Sequence, residues 1–309
     1  MKICKLSLVL CLLVTPQARA FVCTRTNSMS DHTGAIAGAS LSWFSRRVPY
    51  AINDQGTLRI PMSQSLATLR AAFLVWQNLQ LEPSLRDSCS VRGDTDLTFV
   101  ETDSPTSVDW VGYNYLDPQH NTNVLIFRDH DWPHPSNAGD VIALTTTTFS
   151  LFSGEIVDAD IEFNSAKFAF SAVAAPGLTQ TDLLNTAVHE VGHFLGLSHC
   201  SEGLCGNGEV MEPTSFEGEV SKRLLKCDDL AGIVFKYPRG RANGYCEGAV
   251  TQACGHCAPP LTILRRPTVE ISGRDPGRGP NCTSASAGPA GCMLASVMVW
   301  RRRSRKQTG

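Results

Sequence analysis

Two absences narrow the field before any motif is read. The chain has no apolar run suited to a permanent membrane span, which takes about 20 consecutive residues. Its two candidate stretches, residues 6–14 and 284–300, are too short or too rich in glycine and alanine. Nor is there an excess of positive charge: 27 lysines and arginines stand against 29 aspartates and glutamates. Nucleic-acid binding rests on a basic surface that displaces counterions from phosphates, so the balance argues against that partner. What is present suits a folded protein. With 42% hydrophobic and 18% charged residues over 309 positions, the chain can hold one domain of about 200 residues plus appendages.

The two ends differ from the middle. Lys2 and Lys5 precede the apolar residues 6–14, and Ala18 and Ala20 offer a small-residue cleavage site, so residues 1–20 read as a secretory signal. Residues 284–300 carry no charge, and Arg301, Arg302, Arg303, Arg305 and Lys306 follow at once. Such a cluster favours retention on the cytoplasmic side. Residues 282–309, with Cys282 ahead of the apolar part, resemble the C-terminal sorting signals of myxobacterial surface proteins. That resemblance implies removal of the tail and anchoring to a membrane or cell surface through Cys282. Without both ends the chain holds 19 basic and 29 acidic residues, a net charge of −10. An exported protein is expected, secreted or at a bacterial cell surface, and monomeric. Of twelve cysteines, Cys4 and Cys11 go with the signal, and the other ten suit an oxidising compartment. Cys200 could pair with Cys205, or one of them with Cys227, and Cys23 with Cys89; spacing alone does not decide.

The chemistry concentrates at residues 189–199, which read His-Glu-x-x-His-x-x-Gly-x-x-His. His189 and His193 are four apart, so on a helix both imidazoles share one face and can share a zinc ion. Glu190 suits a general base acting on a zinc-activated water. Gly196 can adopt φ > 0, end the helix and turn the chain back. His199 then reaches the same metal, and three imidazoles leave a position open, the mark of a catalytic site. The five-residue core of this pattern arises by chance on polar helices. The eleven-residue form is far more demanding, and three of the eight histidines fall inside it.

The stretch resembles the zinc signature of the metzincin metallopeptidases. Met211, twelve residues past His199, resembles that family's methionine turn, a packing floor rather than a ligand. Pro213 stands where some members carry a metal-contacting tyrosine, so the site resembles the three-histidine, matrixin-like branch. The resemblance covers residues 42–240. It implies an α+β fold: a twisted, mixed five-stranded sheet with two long helices, and a small C-terminal subdomain carrying the Met turn and a last helix. It also implies one catalytic Zn2+ and a protein or peptide substrate. A glutamate-liganded zinc site is the rival hydrolase reading, and Gly196 and His199 oppose it. A non-catalytic surface binding or adhesive protein on the same scaffold is the rival from another class, and Glu190 opposes that.

Along the chain, residues 21–41 read as an irregular arm, too short for a folded pro-domain. The cysteine-switch sequence of matrixins is absent around Cys23. Residues 48–53 read as a strand. Leu66, Leu69, Phe73, Trp76 and Leu79 recur at threes and fours, one helical stripe that Pro83 stops. Residues 96–101 and 123–128 read as strands. His130 and His134 read as surface-loop residues. Residues 141–149 are rich in β-branched types, and their polar threonines suggest an edge strand where Ala143, Leu144 and Thr145 would align an extended substrate. Residues 154–164 alternate apolar residues with Asp158, Asp160 and Glu162, an oxygen-rich face of the kind that binds Ca2+. Thr179 or Thr181 would cap the zinc helix, with Asp182 at its positive end. Residues 221–237 read as the last helix. Residues 241–262 form a cysteine-rich segment, in which Cys254 and Cys257 suit a disulfide knot, and 263–281 a proline-rich linker.

Overall fold

In the computed structural model the described residues are 21–26, 38–134, 140–200, 208–240 and 293–302. The expected signal, cysteine-rich segment, linker and Cys282 lie outside them. Five strands make the central sheet: β2 (Arg47–Ile52), β3 (Thr98–Glu101), β4 (Val124–Phe127), β5 (Val141–Ser150) and β6 (Ile156–Phe163). Their order is β5-β6-β4-β2-β3, with β5 antiparallel to β6 and the rest parallel, the mixed sheet the resemblance implied. β1 (Val22–Cys23) stands apart. Each central strand falls within two residues of its expected bounds, because alternation marks a strand with one buried face and a continuous apolar run, as in β4, one with two.

Helix α1 (Met62–Gln77) starts after Pro61 and buries Leu69, Phe73 and Trp76. Each such side chain contributes about 1.5–3 kcal/mol of apolar transfer. The Trp76 indole donates to the Val188 carbonyl of α2 (Leu183–Phe194) at 2.8 Å, tying the two long helices together. Phe73 packs on Tyr50 of β2 with ring centroids 3.9 Å apart and meets Phe194, at the end of α2, edge-on. The sheet thereby fixes the helix that carries the histidines.

Several expectations are corrected. Asp182 itself caps α2, accepting the Asn185 N–H at 2.7 Å, because its short side chain reaches back where a threonine one or three residues earlier does not. The buried Asp182 carboxylate is balanced by Arg223, whose Nε lies 2.9 Å from Oδ1. The last helix, α3 (Cys227–Lys236), begins six residues late: Ser221–Arg223 is a 3-10 turn and Leu224 is extended, so that Leu225 can bridge to Leu81. Part of the expected arm is ordered: β1 pairs antiparallel with β9 (Leu197–Ser198), and Phe21 is buried. Cys89 is joined to Cys227, not Cys23, and Cys200 is disulfide-bonded.

Strand β5 is not an open edge. Beyond β7 (Phe170–Ser171) and β8 (Thr181–Asp182), β10 (Thr214–Ser215) and β11 (Met293–Arg302) extend the sheet to seven strands, and β11 pairs along β5. Thr145, Thr147 and Thr148 are buried, so their polarity did not mark solvent exposure. Calcium on the acidic face of β6 is not supported: Asn121 donates to Asp158, the Gly112 and Val124 N–H groups to Asp160, and Arg128 and His134 engage Glu162. Protein groups thus meet each of these carboxylate oxygens but Asp158 Oδ2. Among the described residues no helix is long and apolar enough to cross a membrane.

Candidate metal centre

His189 and His193 stand one turn apart on α2, both buried, and Gly196 carries the chain off the helix at φ +78°. A Cβ at Gly196 would sit 2.3 Å from the Leu41 carbonyl, so only glycine makes this turn. The turn brings His199 back: its Nε2 lies 3.3 Å from Nε2 of His189 and 3.1 Å from Nε2 of His193. Among the described residues this triad is the one group of three or more metal-capable side chains that converges, its ligand atoms all within 4.8 Å of one another.

The second ring nitrogens settle which atoms face inward. His189 Nδ1 lies 2.5 Å from the Val210 carbonyl and His193 Nδ1 2.8 Å from the Leu197 carbonyl. A carbonyl only accepts, so each Nδ1 carries the proton, and each neutral ring turns a bare Nε2 lone pair inward. Burial, followed by the neighbouring imidazoles, holds His189 and His193 well below the usual histidine range, and burial brings His199 down to about 4. Neutral rings with converging lone pairs repel one another unless a cation lies between them. The donor set therefore fits a metal ion of the nitrogen-loving, tetrahedral kind.

Glu190, next to His189 on α2, is fully buried. Thr145 of β5 donates to its Oε2 at 2.5 Å, while Oε1 has no hydrogen-bond partner among the described residues. Burial pushes this carboxyl up to about 8, and the Thr145 hydroxyl opposes the rise. Thr145, expected only as part of a substrate rail, thus also touches the acid; Ala143 and Leu144 line the same strand.

Met211 forms the floor, 2% exposed. It packs under α2 at Gly192, where a Cβ would lie 2.2 Å from the Met211 sulfur. Asp229 of α3 holds this turn: its carboxylate accepts the N–H groups of Val210 at 3.0 Å, Met211 at 3.3 Å and Lys226 at 2.9 Å. The Met211 carbonyl in turn accepts the Cys200 N–H at 3.0 Å, next to His199. One carboxylate thus steers both a carbonyl that orients His189 and the backbone beside His199. Sequence reasoning missed Asp229 and Gly192. The signal for Gly192 was its place inside the motif helix, where a glycine is costly without a packing reason; nothing local marked Asp229.

A mixed sheet over a helix-borne histidine pair, completed by a third histidine after a glycine turn, defines a three-histidine metal protein. The model of the Matrixin family, peptidase family M10, matches residues 42–237, and the chain belongs to that family. The family implies zinc in the cage. Two relatives show the likeness over shorter stretches. One, an extracellular metalloprotease of Colletotrichum graminicola, is 50% identical over 50 residues, 16% of this chain and 18% of the relative. The other, metalloendoproteinase 5-MMP of Arabidopsis thaliana, is 32% identical over 102 residues, 32% of this chain and 27% of the relative. The chain thus spans well under a third of the length of either.

Proposed function

We propose that this protein is an exported zinc metalloendopeptidase that hydrolyses peptide bonds in protein or peptide substrates. The observation that carries the reading is Glu190 Oε1: a buried, unpartnered carboxylate oxygen one residue from a convergent histidine cage. A buried polar atom left without a partner costs about 1–3 kcal/mol, so it persists where a reaction or ligand needs it.

His189, His193 and His199 would hold the zinc through Nε2, kept neutral and oriented by the Val210 and Leu197 carbonyls. Zinc, when bound, supplies Lewis acidity, acidifying a water and polarising a carbonyl. Glu190 would take the proton of the attacking water on Oε1 and deliver it to the leaving amine. Thr145 fixes Oε2, so the carboxyl presents its open oxygen without rotating. Met211 packs as the floor under α2 and binds nothing. The signal-like start and the extracellular metalloprotease among the relatives support export; removal of the tail and anchoring through Cys282 belong to the same reading.

Glu190→Gln is the test. The amide keeps the shape but cannot accept the proton. Bound zinc is expected to stay at one per chain, while peptide hydrolysis falls by about 10³-fold, within the range of general acid–base catalysis. Hydrolysis at the wild-type rate would refute the role. Wild-type activity should also vanish with a chelator and return with zinc.

A further inference from the structure

Strand β11 lies between β5, whose Thr145 touches Glu190, and β10, just after the Met turn. It is antiparallel to β5 over nine residue pairs, from Met293 opposite Ser150 to Arg301 opposite Val141. It is parallel to β10, with Arg301 opposite Thr214 and Arg302 opposite Ser215. The Arg302 N–H donates to the Asp140 carbonyl at 2.6 Å, and its guanidinium reaches Glu217 at 3.4 Å. Val299, Met298 and Val297 pair with Leu144, Thr145 and Thr146, the stretch of β5 whose Thr145 hydroxyl touches Glu190.

A strand ladder recognises backbone, so it holds any extended segment offered to it. A substrate adding to β5 would need the same outward N–H and C=O groups that β11 occupies. The central sheet is already complete from β5 to β3 without this strand. We propose that residues 293–302 are an autoinhibitory segment, seated in the peptide slot of their own chain, and that they must leave before a substrate enters. The proposal rests on the peptidase reading above. A tethered segment competes at an effective concentration on the order of millimolar. Typical KM values run from about 1 μM to 1 mM. A substrate wins only where its concentration over KM exceeds the segment's effective concentration over its own dissociation constant.

The experiment uses the full, zinc-loaded chain and the double variant Met298→Pro, Val299→Pro. Successive strand N–H groups point to opposite sides, so one of the two prolines removes a donor to β5 whichever way the strand faces. The first readout is binding of a fluorescent peptide hydroxamate, the second casein hydrolysis. The variant is expected to bind the hydroxamate at least about tenfold more tightly and to raise kcat/KM by a similar factor. A synthetic peptide of residues 293–302, added back, should reverse both changes. Equal hydroxamate affinity in the two forms overturns the proposal, whatever the hydrolysis rates. Tighter binding without hydrolysis in either form upholds the seated strand and overturns the peptidase reading instead. Should the prolines prevent folding, Arg302→Glu sets like charges against Glu217 and is expected to give about a threefold gain in the same binding assay; unchanged affinity there overturns the proposal equally.

Discussion

Two buried carboxylates serve the metal centre, Glu190 next to His189 in the chain and Asp229 through the turn that orients His189, and they differ in one respect. Glu190 and Asp229 are 0% and 1% exposed. Burial raises both, to about 8 and about 7. Asp229 spends its oxygens on three backbone N–H groups; Glu190 receives one hydroxyl and leaves Oε1 open. Burial and titration alone do not separate a structural acid from a reactive one. The state of the last lone pair does: a filled carboxylate is a tie between segments, and an open one beside convergent ligands is held for chemistry.

The sharpest way to break that contrast is to make the same change at both sites. Glu190→Gln should cut turnover by about 10³-fold while leaving stability within about 1 kcal/mol, since no donor loses its acceptor. Asp229→Asn should do the reverse. Its amide nitrogen must face at least one of the Val210, Met211 or Lys226 N–H groups, leaving that donor unsatisfied. The expected cost is about 2 kcal/mol in denaturant unfolding. Zinc affinity should fall by about tenfold, because the carbonyl orienting His189 shifts. If Asp229→Asn lost turnover with stability and zinc affinity unchanged, the division of roles would be wrong.

A smaller effect tests Glu190 alone. Thr145→Val keeps the volume and removes the hydroxyl that donates to Glu190. That hydrogen bond lowers the Glu190 pKa, so its loss moves the carboxyl further up and leaves less of the ionised base at neutral pH. We expect kcat/KM near pH 7 to fall by about tenfold, with the acidic limb of the pH profile displaced to higher pH. A uniform loss at every pH would mean that Thr145 only packs.

Much of this was legible from local pattern, and the remainder was not local. The histidine spacing, the glycine turn and the five central strands follow from periodicity and from φ, properties carried within a few residues. Gly196 is the clearest case: its place three past His193 announced both the positive φ and the return of the chain. Asp229 lies thirty residues beyond His199 and reads as an ordinary acid in the first turn of a helix. Only tertiary packing sets it under the Met turn. The threonines of β5 read as solvent-facing by their polarity, whereas Thr145 is buried and satisfies its hydroxyl on Glu190. The apolar residues before Arg301 fit a sorting tail in composition; strand pairing 150 residues upstream leaves no mark on them.

A third buried acid puts the contrast at risk. Asp158 on β6 accepts from Asn121 through Oδ1, but its Oδ2 has no partner among the described residues. It resembles Glu190 in openness, yet no imidazole cage adjoins it. Burial raises its carboxyl to about 6, and burial together with the Asp158 charge raises Asp160 well above the usual range. A raised carboxyl binds its proton more tightly folded than unfolded. Its contribution to stability is therefore full below about pH 4 and lost as pH climbs through about 6. Asp158→Asn removes that loss. A two-unit shift allows about 3 kcal/mol at most; with Asp160 still buried and the new amide seeking a partner, we expect a net gain of about 1 kcal/mol at pH 7.5 relative to pH 4.5. Hydrolysis should not change. That pairing of a stability gain with intact activity would show that an open oxygen records only a cost until convergent ligands give it something to act on. A loss of hydrolysis instead would place β6 in the working part of the molecule and dissolve the distinction drawn between Glu190 and Asp229.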